Sequence, residues 1–386
     1  MHSLCCNRRY PPMDDPKKEM AALTNLPRIG YVPYSPTLKA PGDRRRFVAY
    51  AQARNLPFEL AQFDERYDIV ILSEVADLSI WPSYRQGKVV YDLIDSYLSV
   101  PRTNWRQLLR GPAWYALGKH KRLRDYLSSV RAMCGRADAV VCTTDEQKKT
   151  ISQFCRNVHV ILDIHSTFVT KIKTQYTASQ PFRLVWEGLA SNLPQLLTLA
   201  PILRALATRR DFELHVVTAP EQSRLPGGFF PLDSRRLLTR YFDRVRFREW
   251  KEETCSEIIS SCDLGVIPIN LADPLATGKP ENKLLVQWRM GLPVITSATP
   301  AYRRAMNEVG TPELTCQNES QWIAALERMM SDESARLDAA KRGRAYAEGK
   351  HGSAALLARW DAMFSSLGFF FGTSPGAHER QSAAGE

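Results

Sequence analysis

The chain has 386 residues, 44% of them hydrophobic and 24% charged, which suits two globular domains with full cores. No apolar run approaches the roughly 18 residues of a membrane span, and residues 1–20 lack the apolar stretch of a secretory signal, so a cytoplasmic protein is expected. The eight cysteines form no C-x-x-C pair and no Cys/His set at zinc spacing, so neither disulfides nor a structural zinc site are expected, while the net charge of +11 is concentrated in one stretch of the chain.

Residues 1–27 read as a polar, proline-containing leader. Residues 28–34 (RIGYVPY) predict a first strand, Pro41-Gly42-Asp43 precede a helix beginning near Arg44, and 57–61 (PFELA) predict a second strand. Residues 67–73 (YDIVILS) and 88–95 (KVVYDLID) predict the third and fourth. Between Arg102 and Arg136 lie nine lysines and arginines against one acid, Asp125, a local charge of +8. Trp105, Trp114, Tyr115 and Tyr126 are interleaved with these bases. A basic helix with interfacial aromatics suits the surface of an anionic membrane; the alternative is a solvated helical face over buried aromatics. No recognition motif supports nucleic acid as a partner.

A fifth strand follows at 137–144 (ADAVVCTT), then a helix from Asp145 capped by Thr144, and a sixth strand at 157–163 (NVHVILD). Residues 166–180 are polar and aperiodic, an interdomain linker. The pattern then restarts, with strands at 182–188, 213–218, 245–250 and 264–269 and helices at 194–208 and near 253–261. Apolar runs alternating with helices signal parallel sheets. The predicted class is α/β, with two doubly wound, Rossmann-like domains (28–165 and 181–350) facing across a cleft that is the default ligand site. A last amphipathic helix lies within 351–368, and 369–386 read as a disordered tail.

Residues 278–302 (GKPENKLLVQWRMGLPVITSATPAY) are the most informative stretch. Pro280 suits a helix start, Gly291 and Pro293 suit its stop, and Leu284, Leu285 and Trp288 make an apolar stripe between them. A short buried strand, Pro-Val-Ile-Thr-Ser, follows. The helix start aims backbone N–H groups and the positive dipole end outward, with Asn282 and Lys283 in its first turn. Such an end suits a phosphate.

Here the sequence resembles the nucleotide-sugar-binding element of GT-B-fold glycosyltransferases, which runs acidic residue, helix, Gly-x-Pro-Val, strand. Trp186-Glu187-Gly188, followed by Ser191-Asn192 and an apolar helix, is similar to the opening of that family's donor domain. SCDLGVIPI (261–269) and ADAVVCTT (137–144) are similar to two of its strands. The likeness covers most of 28–345 and is strongest after 181. It implies a C-terminal helix that crosses back to the first domain, and a nucleotide base held near Trp250, where core packing is the competing role. Many retaining members carry two glutamates seven residues apart; those positions here hold Lys279 and Val286. Glu281, Asn282 and Lys283 are then expected to take over the ribose and phosphate contacts. The chain has no Asp-x-Asp, which argues against a metal-dependent enzyme of the other glycosyltransferase fold.

Glycosyl transfer needs a held diphosphate, stabilisation of its developing charge, and an acceptor hydroxyl that loses its proton. The helix start at 280–283 supplies the first two without a metal, with Lys283 or Lys279 adding a point charge; no cofactor is expected. Gly42 and Asp43, after the first strand, are candidates for an acceptor or phosphate loop, with a plain turn capped by Asp43 as the other reading. Asp92 and Asp95 end the fourth strand, and Asp95, nearer the loop, is the preferred base for an inverting reaction. Asp163 and His165 are cleft candidates by position. Glu187 is placed to bind a sugar or ribose hydroxyl, Gly188 to admit a close ligand, and Asn192 to join them on the donor side. The expected activity is transfer from a nucleotide-sugar to a glycan or lipid-linked acceptor. A nucleotide-sugar epimerase of the same fold and a catalytically silent scaffold are the alternatives.

Overall fold

The computed structural model describes residues 26–101, 103–165, 169–223 and 231–371. All but two residues of the leader, and the tail beyond 371, lie outside them. β1 (Ile29–Val32), β2 (Glu59–Leu60), β3 (Ile69–Ser73), β4 (Lys88–Asp92), β5 (Ala139–Cys142) and β6 (Val158–Val160) form one parallel sheet in the order β2-β1-β3-β4-β5-β6. The second sheet contains β7 (Phe182–Glu187), β8 (Phe212–Thr218), β11 (Val245–Glu249), β12 (Leu264–Ile267), β13 (Val294–Ser297) and β14 (Thr315–Cys316). It is also parallel, in the order β11-β8-β7-β12-β13-β14. A short antiparallel pair, β9 (Glu221–Ser223) and β10 (Pro231–Asp233), is inserted after β8.

Helices on both faces explain the unbroken apolar runs: every residue of β3, β5, β12 and β13 is buried. Strand order reverses between β1 and β3 in the first sheet and between β7 and β12 in the second. In open α/β sheets such points, at the carboxyl ends of the strands, are where ligands bind. The loops that leave β1 and β7 line one common cavity, so the carboxyl edges of the two sheets face each other.

Several boundaries differ from the sequence expectation, each for a physical reason. The helix foreseen near Arg44 begins at Pro41, runs only to Arg44, and resumes at Phe47–Ala53. Arg46, between the pieces, is fully buried and pinned to Asp92, which turns the chain inward there. β4 ends at Asp92 rather than at Asp95, because beyond Asp92 the N–H groups of Ile94 and Asp95 donate to the Glu74 carboxylate. The 194–208 helix is broken into Leu193–Leu196 and Ala200–Leu206 by an intervening tighter turn. The helix foreseen from Pro280 runs Asn282–Arg289, so Pro280 lies just outside it and Glu281 stands at its cap. The helices Pro300–Glu308 and Glu333–Gly349 are additional to those foreseen.

The last helix, Ser353–Ser365, belongs to neither sheet. Its Trp360 and Phe364 stack on Tyr50 of the first domain, with ring centroids 5.6 and 5.2 Å away. Asp361 accepts from the Tyr50 hydroxyl at 2.8 Å and pairs with Arg54. Buried apolar residues of both domains thereby join in one continuous core. The six described cysteines are buried and unpaired, and no described helix is long and apolar enough to cross a membrane.

Candidate active site

Asp43 shapes the loop after β1. The buried carboxylate accepts from the Tyr31 hydroxyl at 2.7 Å and the Tyr34 N–H at 2.8 Å through Oδ1. Through Oδ2 it accepts from the N–H and hydroxyl of Ser35 at 3.0 and 3.1 Å. Gly42 is overlain by the Tyr34 ring, which a Cβ would meet at 2.7 Å. Neither residue faces the cleft. Their turn instead carries Lys39, Pro41, Arg44 and Arg45 to it. Across the cleft, Arg44 pairs with Glu252 of the second domain.

From the second domain, β7 delivers Glu187 and Gly188 at its carboxyl end. The Lys283 ammonium donates to the Glu187 carbonyl at 2.9 Å and sits 4.9 Å from the centre of the Trp186 ring. Gly188 is what makes room: a Cβ there would stand 2.3 Å from Lys283 Nζ. Burial lowers the Lys283 pKa to about 8, the nearby Glu187 opposing and Lys279 adding to the shift. Asn282, next to it on the helix, accepts from the backbone N–H of Asp163 at 3.3 Å and so ties the two domains together. Asn192 accepts from Lys279 at 3.0 Å.

These groups enclose a cavity of about 440 Å³. Of the donor-side residues singled out from sequence, Glu187, Gly188, Asn192, Trp250, Asn282 and Lys283 all line it, as does Val286. Glu281 does not. It is buried behind the helix start with Oε2 unpartnered, and burial raises its pKa to about 7, with Arg304 opposing and Asp145 and Glu146 adding to the shift. That places it at the seam between the domains, where Arg304 donates to Glu146 at 2.8 Å.

The acid–base candidates separate clearly. Asp92 is held by both Nε and Nη2 of Arg46, whose Nη1 also reaches Asp163 at 3.1 Å. This buried cluster takes up both carboxylates as structure. His165 lines the cavity, but burial, with Arg45 and Arg289 nearby, pushes its pKa well below normal, leaving a neutral imidazole. Asp95 is half-buried in the loop after β4, outside the cavity wall, and accepts from the Tyr97 hydroxyl at 3.2 Å. Beside it stands Glu74, at the carboxyl end of β3, whose pKa is raised to about 8 by burial first and by Asp95 second. Sequence reasoning missed Glu74. Its signal was an acid at the carboxyl end of a predicted strand, the same signal that singled out Asp92 and Asp95.

A second opening of about 270 Å³ lies along the same seam, between Ser99, Thr144 and Glu146 of the first domain and the 271–279 and 300–301 segments of the second. Lys279 lines it, and the Lys279–Asn192 hydrogen bond is shared between this opening and the larger cavity.

No family model matches the sequence, and no curated protein matches it. Solved structures do. TarM superposes with a TM-score of 0.53 at 9% identity, over 77% of this chain and 54% of that one. The Glycosylation Associate Protein (Gap123) complex from Streptococcus agalactiae gives 0.45 at 13%, over 77% and 54%. The pneumococcal O-GlcNAc transferase GtfA, solved with UDP and GlcNAc, gives 0.47 at 14%, over 78% and 57%. This chain therefore spans about half the length of these structures. The likeness that carries weight is one of fold, and two doubly wound domains facing across a cleft give this chain the GT-B fold that it shares with TarM.

Proposed function

We propose that the chain is a glycosyltransferase that moves a sugar from a nucleotide-sugar to a hydroxyl of a glycan or lipid-linked acceptor. The observation that carries this reading is the cavity between the carboxyl edges of the two sheets. Lys39, Arg44, Arg45 and Lys283 converge on it with the start of the donor helix, while Trp250 and Val286 add apolar wall. Cations and backbone N–H groups suit a diphosphate, and the apolar wall suits a base.

In this reading Lys283 and the helix start take up the charge that develops on the departing diphosphate, in a site dry enough to strengthen that attraction. The cations are the protein's own, with no metal. Glu187 receives a sugar or ribose hydroxyl. The acceptor proton goes to Asp95, which the closing of one domain on the other must bring to the reacting sugar, since its loop lies outside the cavity wall. A second reading, nucleotide binding without turnover, is favoured by one feature. The paired-glutamate positions hold Val286, which lines the cavity, and Lys279, which is engaged with Asn192.

Incubating the full chain with a panel of nucleotide-sugars separates these. Transfer, or slow hydrolysis of one donor, supports the first reading; donor binding with no turnover supports the second. Isomerisation of the sugar without an acceptor would turn the assignment to an epimerase. Asp95→Asn keeps shape and removes basicity, so under an inverting reaction turnover should fall by roughly 10²–10⁴ with donor affinity retained. Near-normal turnover would remove Asp95 from the mechanism.

A further inference from the structure

From Ser96 to Arg124 the chain contains no acidic residue. The stretch folds as the helix Trp105–Ala116 and a loop leading into the helix Tyr126–Arg136. Within 16 residues of sequence it exposes five large apolar side chains: Leu108 (55%), Leu109 (56%), Tyr115 (49%), Leu117 (46%) and Leu123 (61%). Other exposed apolar residues among those described are scattered along the chain. Lys119, Lys121, Arg122 and Arg124 are exposed among the five. Of the four aromatics named from the sequence, Tyr115 is exposed and the side chain of Trp105 lies outside the described ones. Trp114 and Tyr126 turn inward, their rings 5.1 Å apart, and Arg110 covers Tyr97 and Tyr126 from 4.5 and 5.1 Å. The outward apolar role falls to four leucines and Tyr115.

The position of this face is set by two backbone hydrogen bonds. The Lys121 N–H donates to Asp77 at 2.9 Å and the Arg122 N–H to the Ser79 hydroxyl at 3.0 Å. Both acceptors lie in the segment that leaves β3, on the carboxyl side of the first sheet where the interdomain cleft opens. Burying leucines in a hydrocarbon layer while bases meet acidic headgroups satisfies both halves of the surface at once. A two-fold contact between copies of this chain would set the same bases against themselves. Nucleic acid would leave the leucines without an apolar partner.

We propose that this face docks the first domain on an anionic lipid leaflet, with the cleft opening beside the membrane surface. The proposal does not depend on the chemistry in the cleft, and its test uses no nucleotide. The full chain is sedimented with vesicles of phosphatidylcholine alone and of phosphatidylcholine with phosphatidylglycerol. It should pellet with the second only, and be released at roughly 1 M salt, where the Debye length shrinks to about 3 Å. The triple variant Lys121→Glu, Arg122→Glu, Arg124→Glu should lose binding by at least the roughly fivefold per base that corresponds to about 1 kcal/mol for each. Leu109→Ser with Leu123→Ser should also weaken it, and both variants should melt as wild type does, since all five side chains are exposed. Absence of binding to anionic vesicles at low salt would overturn the proposal. So would full binding by the charge-reversed variant, or a concentration-dependent dimer that the leucine changes dissolve.

Discussion

Under the proposed function, the burial of Lys283 makes its binding of a diphosphate dependent on pH. Its ammonium is buried on Trp186, with a single carbonyl acceptor, and its pKa falls from 10.5 to about 8. A bound diphosphate favours the charged form, so in the unliganded protein affinity should be full below pH 8 and fall about tenfold per unit above it. The phosphates add no opposing change there, being fully ionised well below that pH. Calorimetry with a free nucleoside diphosphate between pH 7 and 9.5 reads this directly. Lys283→Ala should weaken binding at pH 7 by about 1–3 kcal/mol and flatten the pH profile. Unchanged affinity in a folded variant would sink the phosphate assignment. Gly188 belongs to the same device, because a side chain there would occupy the position of the ammonium.

The helix Asn282–Arg289 is the element in which cavity lining and domain contact overlap. Its first two residues, Asn282 and Lys283, line the cavity, while Glu281 at its cap faces the seam. Burial raises the Glu281 pKa from 4.5 to about 7, so the folded state prefers the protonated acid. That contribution is fully present below pH 4.5 and is lost as the pH rises through 7, amounting to about 3 kcal/mol at 1.36 kcal/mol per unit. Glu281→Gln keeps the neutral shape. It should match wild type in denaturant titrations near pH 4.5 and exceed it by up to about 3 kcal/mol above pH 8. Equal stability of the two proteins at both pH values would show that the carboxyl is solvated in solution.

At the scale of the whole molecule, the crossing helix Ser353–Ser365 makes two sheets into one cooperative body. Trp360 is fully buried against Tyr50 and Phe364, and the apolar core runs from β1 through this helix into the second domain. Trp360→Ala should therefore cost about 3–5 kcal/mol by denaturant titration, the range for emptying a buried aromatic site. A cost below about 1 kcal/mol would mean that the helix does not dock on the first domain in solution. The polar ties across the seam include Ser96 to Gly278 at 2.8 Å, Asp163 to Asn282 at 3.3 Å, Arg44 to Glu252 and Arg304 to Glu146.

Local pattern determined much of this architecture. Uninterrupted apolar runs such as IVILS and AVVC can be buried only in a sheet covered on both faces, and Thr144 caps the helix Asp145–Ile151 as its position implies. Pro, Gly and the apolar stripe around 280–293 marked a helix whose first residues, Asn282 and Lys283, line the cavity between the two sheets. What sequence could not decide were the properties set by long-range burial. Asp43, Asp92 and Asp95 look alike along the chain. Only tertiary contacts commit Asp43 to Tyr31, Tyr34 and Ser35, lock Asp92 to Arg46, and leave Asp95 in a loop beside Glu74. Glu281 and Lys283 sit two residues apart, yet one faces the seam and the other the cavity, because a helical turn separates their directions by about 200°. Charge and hydropathy are written in the sequence, but the pKa and the partner of each group depend on which distant segments exclude water from it.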